Sequence, residues 1–465
     1  MKNHHIIEQT VKHKQKKQMA KGKSGALVWW QLSLIGIGSI IGAGFFLGTG
    51  LSIHLAGPAI LINYFIAGVT VFFVFAALAE MTVNDPVKGS FRIYAKKAYG
   101  HSAGFVSGWM YWLSGVLIMS SEIIALSTFT QYWFPAIPLW IFSIIYTAIG
   151  FGINLLGVKN FGKIESIFAV VKLTTLLAFI LFGLLLLFHI ITPADITASG
   201  SHLFQEFMPN GLKGLWSALI FVFFSFGGIA VIGVASTELK SKKDVPKAGI
   251  GMLVTLVSVY ILSLSFVLWM VPWNKINESE SPFVTALSSF QIPYLDSIFN
   301  IIIISAAFST MVGALYSITN VLVSLARDED APSSMAKKNN RGIALRSLGL
   351  TAIALVVSIS LSFFLPDTVY EYITTSAGVL LIMNWAIILS SQLKLRPHYN
   401  EESAGRFKMP GYPFTSYAGL LMIALTIIGA LLSGGQRIGV FISLGLILII
   451  IGVYKLVQHR LHPRE

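Results

Sequence analysis

The chain has 465 residues, 55% hydrophobic and 11% charged, with no cysteine and a formal net charge of +13. A water-soluble domain carries about 25% charged residues, so a mean hydropathy of +0.75 excludes a soluble protein and makes lipid the solvent. Without cysteine, a disulfide framework and a thiolate metal site are excluded too.

The lysine-rich segment 1–25 resembles the start of a secretory signal. The apolar run after it is long enough to span and carries no small-residue cleavage site, so it reads as a retained first helix. Runs of about 17–25 apolar residues then predict twelve spans in one membrane domain, 26–458. They fall near 28–50, 58–81, 104–129, 138–156, 161–188, 215–236, 249–271, 292–326, 345–365, 370–392, 414–432 and 440–456. Residues 26–190 form a first five-helix repeat, 211–394 a second, and 413–457 the last two helices. Segment 459–465 is a short tail.

Charge fixes the expected orientation. Of 33 lysines and arginines, 29 fall in alternate loops and the two tails, whereas Lys213, Lys275 and Arg437 lie on the other side and Lys172 is inside a span. That bias predicts cytoplasmic N- and C-termini in the cell membrane. It also explains the net charge without nucleic acid. Residues 89–100 (GSFRIYAKKAYG) are short, basic and amphipathic, and read as a helix on the cytoplasmic face or as a charged loop.

The first span contains GIGSIIGAG (36–44) and the sixth FFSFGGIAVIG (223–233). Small residues at such spacing can simply permit close helix packing. Their occurrence at equivalent places in two five-helix halves points instead to interrupted helices around a transport site. An unwound segment exposes main-chain amides that suit a carboxylate and carbonyls that suit an ammonium. A zwitterion fits such a pair. Its carboxylate is expected at the amides of Gly42, Ala43 and Gly44, and its ammonium at carbonyls near Ile40, Phe224 and Ser225. Ile41, Phe226 and Ile229 complete the expected substrate-binding set, with Phe226 either a gate or a packing residue.

Two ionisable residues lie well inside spans, Glu122 in the third and Lys172 in the fifth. At about 2.5–3.5 kcal/mol each, intramembrane charges are functional candidates by default. Lys172 lies about 18 Å along its helix from the cytoplasmic end. It either loads and releases a proton or is a fixed cation holding helices one, five and eight. Glu122 either relays protons or is a structural hydrogen-bonding group. Glu80, Glu165 and Glu238 sit at cytoplasmic span ends as anchors or gate salt bridges. Trp29, Trp109, Trp112 and Trp269 belong to interfacial belts or packing.

The ordered set GSIIGAGFFLGTG (38–50), AGPAILINYFIAG (56–68), ALAEM (77–81), GSFRIYAKKAYGHSAGFVSGWMYWL (89–113), FGKIESIFAVVKL (161–173), FSFGG (224–228), PKA (246–248) and ESPFV (280–284) resembles the amino acid–polyamine–organocation superfamily. Within it, the match is to bacterial permeases of the aromatic, lysine and γ-aminobutyrate type, from helix one into helix eight and loosely beyond. The resemblance implies an all-α polytopic membrane fold of the LeuT-like kind, two inverted five-helix repeats plus two peripheral helices. It also implies proton-coupled uptake of an amino acid. Lys172 is similar to the lysine that replaces a sodium ion between helices one, five and eight, with Ser309 and Thr310 in the matching part of helix eight. Where many members carry an acidic residue two places after the FGG-like break, this chain has Ala230, which points away from cationic substrates. Helix eight likewise has Met311-Val312-Gly313 in place of a small or polar run with asparagine.

The expected activity is secondary active uptake of a neutral amino acid with a proton, by alternating access. The expected partners are an amino acid, protons and the bilayer. No catalytic or metal cluster and no cofactor is expected; His54 and His189 read as polar surface groups. An amino acid–amine exchanger and a non-transporting receptor are the other readings. A channel is disfavoured by the few intramembrane polar residues.

Overall fold

A computed structural model describes residues 27–87, 89–156, 161–191, 206–229, 239–277, 280–340, 342–364, 368–399 and 407–461. The basic N-terminal tail, Lys159, Ala230, Glu238 and the last four residues lie outside them. The described residues are almost entirely helical, as lipid requires of a chain whose main-chain polar groups must bond within each segment.

The first span is broken. Helix α1 (Trp29–Ile40) stops, the chain runs extended through Ile41 and Gly42, and helix resumes as α2 (Ala43–Phe46) and α3 (Gly48–Ala56). Helix α4 (Ile60–Asn84) is the second span. The amphipathic stretch forms α5 (Phe91–Tyr99), followed by α6 (His101–Gln131), α7 (Leu139–Leu156) and α8 (Phe161–Leu187). The second half gives α9 (Gly211–Phe224), α10 (Val245–Met270), the short α11 (Pro282–Ser288) and α12 (Leu295–Arg327). It closes with α13 (Leu345–Phe364), α14 (Val369–Leu395), α15 (Phe414–Leu432) and α16 (Gly434–Leu461). Among the described residues, eight segments are long and apolar enough to cross a membrane, α7, α9 and α13 are shorter apolar helices, and α2 to α4 count as one continuous segment in that total.

Helix α6 is the central strut, packed along α12, α14, α7 and α5. Helix α1 leans on α8, α10 and α12, whereas α3, beyond the break, leans on α9. Helices α15 and α16 pack against α14 and each other at the periphery. Large apolar side chains face outward on these outer helices, among them Ile144 on α7, Leu181 on α8, Val357 on α13 and Leu448 on α16. Such a surface is unfavourable in water and natural against acyl chains. Inside, many hydroxyl groups bond carbonyls one turn back, as Ser120 does to Val116 and Thr175 to Val171, which satisfies their polarity.

Helix α5 does more than lie on a surface. Phe91, Arg92, Tyr94 and Ala95 are buried, while Lys96, Lys97 and Tyr99 are exposed. Arg92 reaches the carboxylates of Asp328 and Asp330 just past the end of α12, the latter at 2.6 Å. His101 Nε2 stands 2.7 Å from Asp330, and Trp109 donates to the Asp330 carbonyl at 3.1 Å.

Candidate functional site: the break in the first span

The break is where distant elements meet. Ile41 and Gly42 have extended main chains that any residue could adopt, so conformation alone does not demand a glycine at 42. Space does. A Cβ on Gly42 would come within 2.4 Å of Glu122 Oε1 and 3.0 Å of Thr310.

Glu122, at mid-bundle on α6 and 3% exposed, lies flush on this segment. The amide of Ala43 donates to both its carboxylate oxygens, at 3.1 and 3.0 Å. Of the three amides expected to meet a substrate carboxylate, Ala43's therefore already serves a carboxylate of the protein. On the other face, Lys172 is 1% exposed. Its ammonium donates to the carbonyl of Gly38 at 2.6 Å and to the Thr310 hydroxyl at 2.7 Å. Thr310 in turn donates toward the carbonyls of Ile41 and Ala306, both at 3.1 Å. Helices one, five and eight thus converge through a lysine, a threonine and two main-chain carbonyls of the break. Ser309 is buried beside them, but its hydroxyl bonds the Ala306 carbonyl of its own helix.

The sixth span meets the same place. Helix α9 ends at Phe224, and Phe226, Gly227 and Ile229 continue in tighter turns bonded to Phe223, Phe224 and Phe226. Ser225 stitches the two spans, donating to the Gly44 carbonyl at 2.8 Å. The Phe224 ring covers Gly44, and a Cβ on Gly228 would strike the Ser39 carbonyl at 2.7 Å. Ile229 is buried. Phe226 is fully buried, with its ring against Tyr64 and Tyr260.

Three tyrosines that no sequence pattern singled out also contact the break. The Tyr64 hydroxyl lies 3.2 Å from Ser225 Oγ, Tyr260 donates to the Ser225 carbonyl at 3.4 Å, and Tyr370 donates to the Ala43 carbonyl at 3.2 Å. Tyr370 also walls a cavity of about 760 Å³, lined further by Leu47, Thr128, Glu280, Asn300 and Glu371. The cavity lies toward the end of the bundle opposite Arg92, and Tyr370 links its wall to the Ala43 carbonyl of the break. Of the three acids expected at span ends, Glu80 accepts from Gln392 at 2.7 Å and pairs with Arg396 at 3.4 Å. Glu165 is buried instead. Trp29 lies under the Lys247 ammonium, and Trp112 bonds Thr351.

A helix undone at mid-bundle, a second helix end stitched to it, and a cavity walled by a tyrosine bonded to the break are features of a secondary transporter of small solutes. The chain belongs to the amino acid permease family: residues 31–462 match the family described as "Amino acid permease". It is 40% identical over 445 residues to the uncharacterized transporter YcgH of Bacillus subtilis (strain 168), covering 96% of this chain and 97% of that one. It is 33% identical to the amino-acid permease AapA of the same organism, covering 93% and 94%. Identity to the aromatic amino acid transport protein AroP of Escherichia coli (strain K12) is 31%, covering 92% and 94%. Among solved structures, MhsT in complex with L-phenylalanine superposes with a TM-score of 0.59 at 16% identity, covering 88% of this chain and all of that one. The fold is accordingly LeuT-like, all-α and polytopic, as the motifs implied.

Proposed function

We propose that this permease carries a neutral amino acid inward together with one proton. The substrate's carboxylate competes with Glu122 for the amides at Ala43 and its neighbours. Its ammonium takes carbonyls of the unwound first span and of the Phe224–Ser225 turn. Lys172 carries the proton. The observation that bears most weight is the ammonium of Lys172 held by Gly38 and Thr310. A cation built into the chain at the junction of helices one, five and eight takes the place that a coupling sodium ion would need.

A neutral side chain fits the apolar surroundings of the break, where Phe224, Tyr64, Tyr260 and Phe226 leave Glu122 as the near acid. The names of the relatives agree: AroP is described as an aromatic amino acid transport protein, and MhsT was solved with L-phenylalanine. The charge bias of the loops supports cytoplasmic termini, with the cavity at Tyr370 on the external side. Motion would be rocking of helices one, two, six and seven against the rest, with the breaks as hinges.

Reconstitution into liposomes with imposed pH or sodium gradients, scanning tritiated amino acids, tests the reading. Accumulation of a neutral amino acid on an inward proton gradient is expected. Uptake that required sodium, or counterflow with no gradient-driven accumulation, would remove proton coupling.

A further inference from the structure

One buried acid has no part in the site described so far. Glu165 stands on α8 seven residues before Lys172, so the two lie on one helix face about 10.5 Å apart along the axis. Its side chain is 2% exposed, and its Oε1 has no hydrogen-bond partner among the described residues. A buried polar atom without a partner calls for an explanation, since most find one. The neighbour of that oxygen is informative. A Cβ on Gly38 would come within 2.9 Å of Glu165 Oε1, and Gly38 is the residue whose carbonyl takes the Lys172 ammonium. One glycine of α1 thus lies beside the carboxylate and accepts from the ammonium with its carbonyl.

Among the described residues, Lys172 is the charged neighbour left to Glu165. Helices α1, α10 and α12 pack against α8. Helix α1 contributes no charged side chain. On α10 the charged residue is Lys247, stacked over Trp29. On α12 the charged residues are Asp296 and Arg327 at opposite ends, with the Thr310 hydroxyl between them already on Lys172. Lys172 is the charged group that acts on Glu165, while Glu122 acts on Lys172 from the far side.

We propose that Glu165 is the acceptor that receives the transported proton from Lys172 and passes it to the cytoplasm. An N–H bond of the Lys172 ammonium breaks as an O–H bond forms on Glu165, through one bridging water, turning ammonium and carboxylate into amine and carboxylic acid. Glu165 then gives the proton to cytoplasmic water and is a carboxylate again. Lys172 is reprotonated from the external side. The transfer path runs past Gly38, so movement of α1 during the inward swing opens and closes it. This role rests on the reading of Lys172 as the proton carrier.

The two claims separate in liposomes holding the full chain, assayed with whichever tritiated L-amino acid the wild type accumulates best. Proton-driven net accumulation requires Lys172 to unload in every cycle. Exchange of internal for external substrate at equal pH does not, because Lys172 can stay protonated. Glu165→Gln is therefore expected to lower accumulation about tenfold or more while exchange stays within about twofold of wild type. Glu165→Met, an apolar replacement of similar length, is expected to behave the same way, and both should fold, because the Lys172 ammonium keeps its bonds to Gly38 and Thr310 and the charge of Glu122. Wild type that does not accumulate on a proton gradient defeats the coupling reading itself. Wild type that accumulates, with both variants equal to it, defeats only the acceptor role. Loss of exchange along with accumulation, or failure of both variants to fold, marks Glu165 as structural and also overturns the proposal.

Discussion

The Lys172 ammonium lies 2.6 Å from the carbonyl of Gly38, 134 positions away in the sequence. That carbonyl lies on α1 three residues before the chain unwinds at Ile41. The charge therefore holds the broken helix at its loose end, and a change in that charge acts directly on the hinge.

Replacing Lys172 by alanine removes both the contact and the coupling proton. One co-transported charge corresponds to about 2.3 kcal/mol per 100 mV, or roughly a fiftyfold concentration of substrate. In liposomes with an imposed gradient, Lys172→Ala should bring the accumulation ratio down to about one. Gradient-driven accumulation surviving this change would refute the role.

Gly42 should not tolerate a methyl group. Alanine there would drive a Cβ into Glu122 Oε1 and Thr310, displacing the groups that frame the break. Overpacking of this kind costs about 1–3 kcal/mol. Gly42→Ala should lower the melting temperature in detergent and cut uptake by more than about tenfold. A variant with normal uptake would mean that the break has more room than the geometry shows.

Tyr370 joins the cavity to the break, and the two roles can be separated. Phenylalanine keeps the wall and removes only the hydroxyl bonded to the Ala43 carbonyl. A bond of this type contributes about 0.5–1.5 kcal/mol. Tyr370→Phe should therefore lower stability by no more than about 1.5 kcal/mol and, by loosening the break, change the KM for uptake several-fold. An unchanged KM would assign the hydroxyl no part in binding.

At the end of the bundle opposite the cavity, Arg92 is paired with two unequal carboxylates. Asp330 is 1% exposed and Asp328 39%. Burial lowers the hold of the Arg92 guanidinium on its proton, and the charge of Asp330 and its hydrogen bond oppose this. Removing the arginine leaves the buried Asp330 carboxylate with His101 as its remaining cationic neighbour, which costs up to about 3–5 kcal/mol. Removing Asp328 breaks a half-exposed pair, where about 0–1 kcal/mol is typical. Thermal denaturation of Arg92→Met and Asp328→Ala should show a large and a small loss respectively. Equal losses would contradict the assignment of Asp330 as the main partner.

Much of this molecule was legible in its sequence. Apolar run lengths located the described helices closely, the expected end of the sixth span at 236 lying outside the described residues, because a span in lipid must satisfy its main chain internally and has a fixed thickness to cross. The glycines of 36–44 foretold where α1 stops. Lys172 and Glu122 stood out because charge inside a span is costly, and Thr310 followed from the family resemblance. These are local or compositional signals, carried by residues near one another in the chain.

Tertiary structure decided which groups bond to which. The Ala43 amide on Glu122, the Ser225 hydroxyl on Gly44, Tyr370 on Ala43 and Arg92 on Asp330 join positions 79 to 327 residues apart. No periodicity relates such partners, since each bond depends on how whole helices lean on one another. A tyrosine at the start of α14, or a glutamate beside Gly38, acquires its chemistry only when the helices have packed.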